Sequence, residues 1–149
     1  YCLMPDHYHL LISTHSNRQT TQSGQTIDES HSLNDLPRKI GTIQSSYTRA
    51  INKRFGWKGS LFQQKAKAKN LSDKNTTYLA EICFHYIHQN PLKAGLVKGF
   101  EKWPYSSFKE YTNPTDGICD VVLSKELLQI NFEKLEYEAE HVVYDDKIF

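Results

Sequence analysis

Pro5-Asp6 stands between two short apolar runs, residues 1–4 and 8–13. Proline presets φ for a turn and aspartate bonds its own backbone, so the chain is expected to open as an antiparallel β-hairpin. A hairpin needs a second layer over its apolar face, and two amphipathic patterns further on can supply one. Leu36-Pro37 opens the first, with Ile40, Ile43, Tyr47, Ala50 and Ile51 as an apolar stripe up to about Phe55, where Gly56 and Gly59 close it. In the second, Ser72 or Asp73 is an N-cap, Tyr78, Leu79, Ile82, Cys83, Tyr86 and Ile87 recur at helical spacing, and Asn90-Pro91 is the stop.

Between them, residues 61–71 read as a strand with Gln63, Lys65, Lys67 and Lys69 on one face and Phe62, Ala66 and Ala68 on the other. Residues 91–97 read as a short further helix, and Trp103-Pro104-Tyr105-Ser106-Ser107 starts another. Val121-Val122-Leu123 reads as a short strand, and a helical pattern begins at Ser124. The fold class is α+β. Residues 1–111 are expected to form one domain, with a polar, flexible insertion at 14–34 and an acidic C-terminal tail of unknown role at 112–149.

His7 and His9 are two apart at the start of the second apolar run, so in extended backbone both imidazoles lie on one face and can serve one metal ion. Two ligands are too few for a catalytic site. Tyr86 and Asn90, at i and i+4 on the later helix, bring a phenol and an amide to one small volume. This set suits attack by Tyr86 on a phosphodiester, with Asn90 completing the metal site. His85 and His88 fall on other helical faces and stand outside it.

Three strings carry a family resemblance: Tyr1-Cys2-Leu3-Met4-Pro5-Asp6-His7-Tyr8-His9-Leu10-Leu11-Ile12, Tyr86-Ile87-His88-Gln89-Asn90-Pro91-Leu92-Lys93-Ala94-Gly95-Leu96-Val97, and Trp103-Pro104-Tyr105-Ser106-Ser107-Phe108. In order and content they resemble the REP-associated tyrosine transposases, within the single-tyrosine HUH (IS200-like) transposases, from Tyr1 to about Tyr111. The resemblance implies a ferredoxin-like HUH-nuclease fold, metal ligands at His7 and His9, a nucleophile at Tyr86 and a third ligand at Asn90. It implies Mg²⁺ or Mn²⁺ as cofactor and single-stranded or hairpin DNA as substrate, cut through a covalent 5′-phosphotyrosine. Relatives carry a first strand and helix before the position of Tyr1, so the chain is expected to be an N-terminally truncated form. The alternative is a non-catalytic nucleic-acid-binding relic of such an enzyme.

The net charge of +1 conceals an asymmetry. From Arg38 to Lys74 ten basic residues face only Asp73, a net of +9, whereas from Asp116 to Phe149 nine acids face three lysines, a net of −6. The basic centre points to a polyanionic partner, with Arg49, Lys53, Arg54, Lys65, Lys67 and Lys69 as DNA contacts and Ser106 and Ser107 as phosphate donors. Lysines that guard an edge strand, or a solvated charged face, would give the same pattern. Cys2, Cys83 and Cys119 are few and odd in number, which suits a reducing cytoplasm. No stretch is apolar for the length of a membrane span.

Overall fold

The computed structural model describes residues 1–14, 17–20, 26–29, 35–63, 66–71, 76–113 and 117–142. They form a mixed α+β structure that divides into two units, residues 1–11 with 69–149, and residues 12–68. This division does not fall at residue 111.

In the first unit the Pro5-Asp6 turn pairs β1 (Cys2–Leu3) antiparallel with β2 (Tyr8–His9), Cys2 opposite His9 and Leu3 opposite Tyr8. Met4 N–H donates to the His7 carbonyl at 2.8 Å and closes the turn. The second strand is shorter than the expected 8–13 because β1 offers it only two partners; Leu10 and Ile12 are exposed. The other edge of β1 is bonded as well. Leu3 N–H donates to Tyr105 O and Ser107 N–H to Tyr1 O, with an antiparallel bridge between Cys2 and Ser106.

Beside the hairpin runs α2 (Thr76–Lys93), following α1 (Asp35–Phe55) in chain order. The helix does not stop at Asn90-Pro91 as expected. It carries Pro91 in its last turn and ends at Lys93, and two residues further on Gly95 adopts φ +70°. Gly95 N–H donates to Leu92 O and Leu96 N–H to Pro91 O, the paired bonds of a Schellman cap. Residues 91–97 are therefore the end of α2 and its cap, not a separate helix. Pro91 is fully buried, so packing offsets its missing N–H.

Phe84 of α2 lies at the centre of a core with Phe100, Phe108, Tyr111, Leu128, Leu135 and Ala139. Its rings meet edge to face, Phe84 on Tyr111 at 4.9 Å, while Phe100 stacks on Phe108 at 5.1 Å. Three members lie beyond residue 111, so the acidic segment contributes to this core. There α3 (Phe108–Thr112) is followed by α4 (Val121–Leu127) and α5 (Leu135–His141). Val121-Val122-Leu123 is helical, not a strand. Asp120 Oδ1 accepts the Leu123 N–H at 2.9 Å, and this N-cap outweighs the weak β preference of two valines.

In the second unit β3 (Asn17–Thr20) pairs antiparallel with β4 (Thr26–Glu29), Asn17 opposite Glu29. Residues 14–34, expected as a flexible insertion, thus contain a hairpin held by main-chain bonds, which need no apolar side chains. Helix α1 matches its expected limits, with Asp35 in its first turn and Lys53 and Arg54 in its last, the charges that complement the helix dipole. Its apolar stripe is not core, however. No residue of α1 is buried, and Ile43 and Tyr47 are largely exposed. Residues 61–63 and 66–71 form no strand, since nothing among the described residues pairs with them. An alternating pattern without a ladder partner has no hydrogen bonds to hold it extended.

Candidate functional site

The hairpin sets two histidines and the α2 tyrosine side by side. The rings of His7 and His9 meet edge to face at 4.8 Å, and the ring of His9 meets that of Tyr86 in the same way at 5.2 Å. Register explains this: His9, the last residue of β2, is paired with fully buried Cys2, while α2 packs on β1 and presents Tyr86 half-buried. The expectation that His7, His9 and Tyr86 converge holds in the geometry.

His9 Nε2 is buried and has no hydrogen-bond partner among the described residues. Burial, followed by the nearby His7, lowers the His9 pKa and so favours the neutral ring. His7 is held from its other side, Nδ1 lying 2.7 Å from Asp6 Oδ1. That hydrogen bond is also the main cause of the lowered Asp6 pKa. A carboxylate on Nδ1 fixes the tautomer with Nε2 as the acceptor, the arrangement that orients metal-binding histidines. Asp6, read from the sequence only as a turn residue, therefore belongs to the site. Its position directly before His7 was the available signal.

Asn90 is joined to Tyr86 through the backbone, its Nδ2 donating to Tyr86 O at 2.8 Å. The amide nitrogen is thus engaged on its own helix, and Oδ1 is the side chain's acceptor atom. Among the described residues no cluster of three or more His, Cys, Asp or Glu forms a metal site. The geometry brings two imidazole donors together, those of His7 and His9.

Ser106 and Ser107 take a different part from the one expected. Both are buried, and Ser107 is 0% exposed. The Tyr1 amine donates to Ser107 Oγ at 2.7 Å, Ser107 Oγ donates to Tyr1 O at 3.1 Å, and His88 Nε2 lies 3.0 Å from the same oxygen. Ser106 Oγ accepts the Phe108 N–H at 3.3 Å. Hydroxyls enclosed in this way hold the first strand in place and are not presented to a phosphate. Trp103 likewise donates from Nε1 to Leu3 O at 2.9 Å.

His85 and His88, set aside on helical geometry, are both buried away from Tyr86. Burial pushes His88 down to about 3 and His85 to about 4, so both rings are neutral. Glu110 forms a further buried junction, accepting from Tyr1 Oη at 3.0 Å and from Cys119 N–H at 2.8 Å. The Tyr1 phenol is raised to about 12, first by burial and then by that bond.

Of the expected DNA contacts, Arg49, Lys53 and Arg54 are exposed along α1, and Lys67 and Lys69 are exposed in irregular backbone. Lys65 lies outside the described residues, and the even row of lysine charges expected of a strand is not formed. No described helix is long and apolar enough to cross a membrane. No family model, curated protein or solved structure matches this chain.

Proposed function

We propose that the chain carries the site of a DNA strand transferase that cuts and rejoins single-stranded or hairpin DNA through Tyr86, as the single-tyrosine HUH transposases do, within the ferredoxin-like frame and cytoplasmic setting of that family. The observation that carries the reading is the contact of His9 with both His7 and Tyr86, with His9 Nε2 buried and unpartnered among the described residues. Resemblance to the family over three separate strings, and the acid-free run from residue 36 to 72, support it further.

In this reading Tyr86 Oη attacks the scissile phosphorus. A phosphorus–Oη bond forms as the bond to the 3′ oxygen breaks; the phenol gives up its proton and the 3′ oxygen leaves as a hydroxyl. Rejoining reverses these steps, and the bond energy is kept in the phosphotyrosine. His7 and His9, with Asn90 Oδ1, would hold Mg²⁺ or Mn²⁺. When bound, the ion supplies charge neutralisation and polarises the phosphate. Asp6 keeps His7 in its ligating tautomer.

A labelled hairpin substrate on a denaturing gel tests the proposal. Wild type should form a covalent adduct that excess chelator abolishes, Tyr86→Phe should form none while keeping DNA affinity, and His9→Ala should lose most of the adduct. An adduct in Tyr86→Phe would overturn the choice of nucleophile. Binding without any adduct in wild type would favour a non-catalytic nucleic-acid-binding protein.

A further inference from the structure

At the C-terminal end of α1 the chain holds two large aromatic rings in water. Phe55 and Trp57 stack at 5.1 Å with 29° between planes, yet they are 54% and 57% exposed. The arrangement is fixed by its loop. Gly56 and Gly59 take φ of +68° and +98°, a region that favours glycine, and reverse the chain directly after the helix. Trp57 N–H donates to Asn52 O at 3.0 Å, and Asn52 Nδ2 donates to Gly59 O at 2.9 Å, so both ends of the loop are bonded to one residue of α1. The Arg54 guanidinium carbon lies 5.5 Å from the centre of the Phe55 ring.

Exposed aromatic rings lose hydrophobic free energy unless something covers them. Charge decides what that is. Lys53, Arg54 and Lys58 are exposed around the pair, and there is no acid from residue 36 to 72. A protein surface meeting this patch would need to be strongly acidic, whereas a single nucleic-acid strand brings phosphates for the cations and flat bases for the rings.

We propose that Trp57, backed by Phe55, is a stacking platform for an unpaired base of single-stranded DNA, with Lys53, Arg54 and Lys58 receiving the flanking phosphates. The platform deepens the DNA reading above and rests on it. Because the loop bonds hold the rings before a ligand arrives, little ordering cost remains when a base stacks. Every base has a π face, so the platform selects unpaired over paired DNA without selecting sequence.

The test is binding of the full chain, in chelator, to a thymidine 12-mer and to an abasic 12-mer of equal charge, followed by anisotropy and by tryptophan emission. Wild type should prefer the thymidine strand roughly five- to hundredfold, the range of one stacked base, and its emission should be quenched. Trp57→Ala should lose the preference and the quenching, Trp57→Phe should keep the preference, and Lys58→Ala should weaken both strands alike and lower the salt slope by about 0.7. Equal, salt-dependent affinity of wild type for both strands would overturn the platform and leave the basic DNA face standing. A preference that survives in Trp57→Ala, or a Trp57→Ala effect on self-association alone, would also overturn it. Binding to neither strand would overturn the DNA reading itself.

Discussion

From Ile82 to Gln89 of α2 only Tyr86 is not buried, whereas none of the twenty-one residues of α1 is buried. The two helices lie in different units and solve different problems. Burial of residues 82–89 around it fixes the middle of α2, so Tyr86 is held against His9. Exposure leaves α1 with its cations and aromatic rings in water, where a partner can reach them. Under the proposed function, chemistry that requires fixed geometry falls on the enclosed helix, and contact that requires access falls on the open one.

Truncating one ring in each unit gives the largest contrast. Phe108→Ala removes a ring that is 1% exposed and stacked on Phe100, and should cost about 3–5 kcal/mol. Ile43→Ala removes a side chain that is 69% exposed and should change stability by no more than about 0.5 kcal/mol. Urea titration reads both, with Trp103 reporting on the first unit and Trp57 on the second. A loss confined to Trp103 sharpens the division, and equal shifts at both tryptophans break it.

Acid should act on the enclosed helix as well. His88 and His85 are held at about 3 and about 4, while an unfolded imidazole titrates near 6.5. Between those values the unfolded chain takes up protons that the folded chain refuses. Their contribution is therefore complete above pH 6.5 and is lost as pH falls below it. From pH 6.5 to pH 5 each histidine should cost up to about 2 kcal/mol. Glu138 Oε2, 4.0 Å from His85 Nε2, softens the effect at that ring. Urea midpoints at pH 7.5 and pH 5 check this, and no fall in the Trp103 midpoint would refute it.

The same substitution should have opposite signs in the two units. A Cβ at Gly117 would collide with the Glu110 carboxylate, which is bonded to Tyr1 Oη and Cys119 N–H. Gly117→Ala should displace that carboxylate and cost about 1–3 kcal/mol. At Gly41, inside α1, a Cβ meets nothing within 4 Å. Gly41→Ala should therefore stabilise that helix by about 1 kcal/mol through lower backbone entropy in the unfolded chain. Thermal unfolding of both variants decides it.

The parts legible in the sequence were those fixed by local rules: the Pro5-Asp6 hairpin, α1 from its stripe, and the body of α2 from its apolar spacing. Where local rules competed, the choice needed the structure. Pro91 argues for a stop, yet Gly95 carries an equally local signal for the end of the helix, and burial of the proline decided between them. Val121 and Val122 favour a strand, but Asp120 caps a helix. The alternation at 61–71 required a neighbour that the sequence cannot supply by itself. At the site, spacing paired His7 with His9 and Tyr86 with Asn90, whereas the approach of the histidines to Tyr86 was implied only by the family resemblance. The enclosure of Ser106 and Ser107 depends on chain segments roughly a hundred residues apart, and no pattern around them announces it.

The two-sided bonding of β1 also affects how the chain behaves in a crowd. A strand with an open edge is a template for pairing with another molecule, and a sheet this small has little else to discourage it. Here one edge of β1 is taken by β2 and the other by residues 105–107. Only the outer edge of β2 remains, two residues long and next to the charged Asp6 at the hairpin tip. Strand addition is thereby blocked at β1 and limited to two residues at β2, and the sheet can stay small without becoming adhesive.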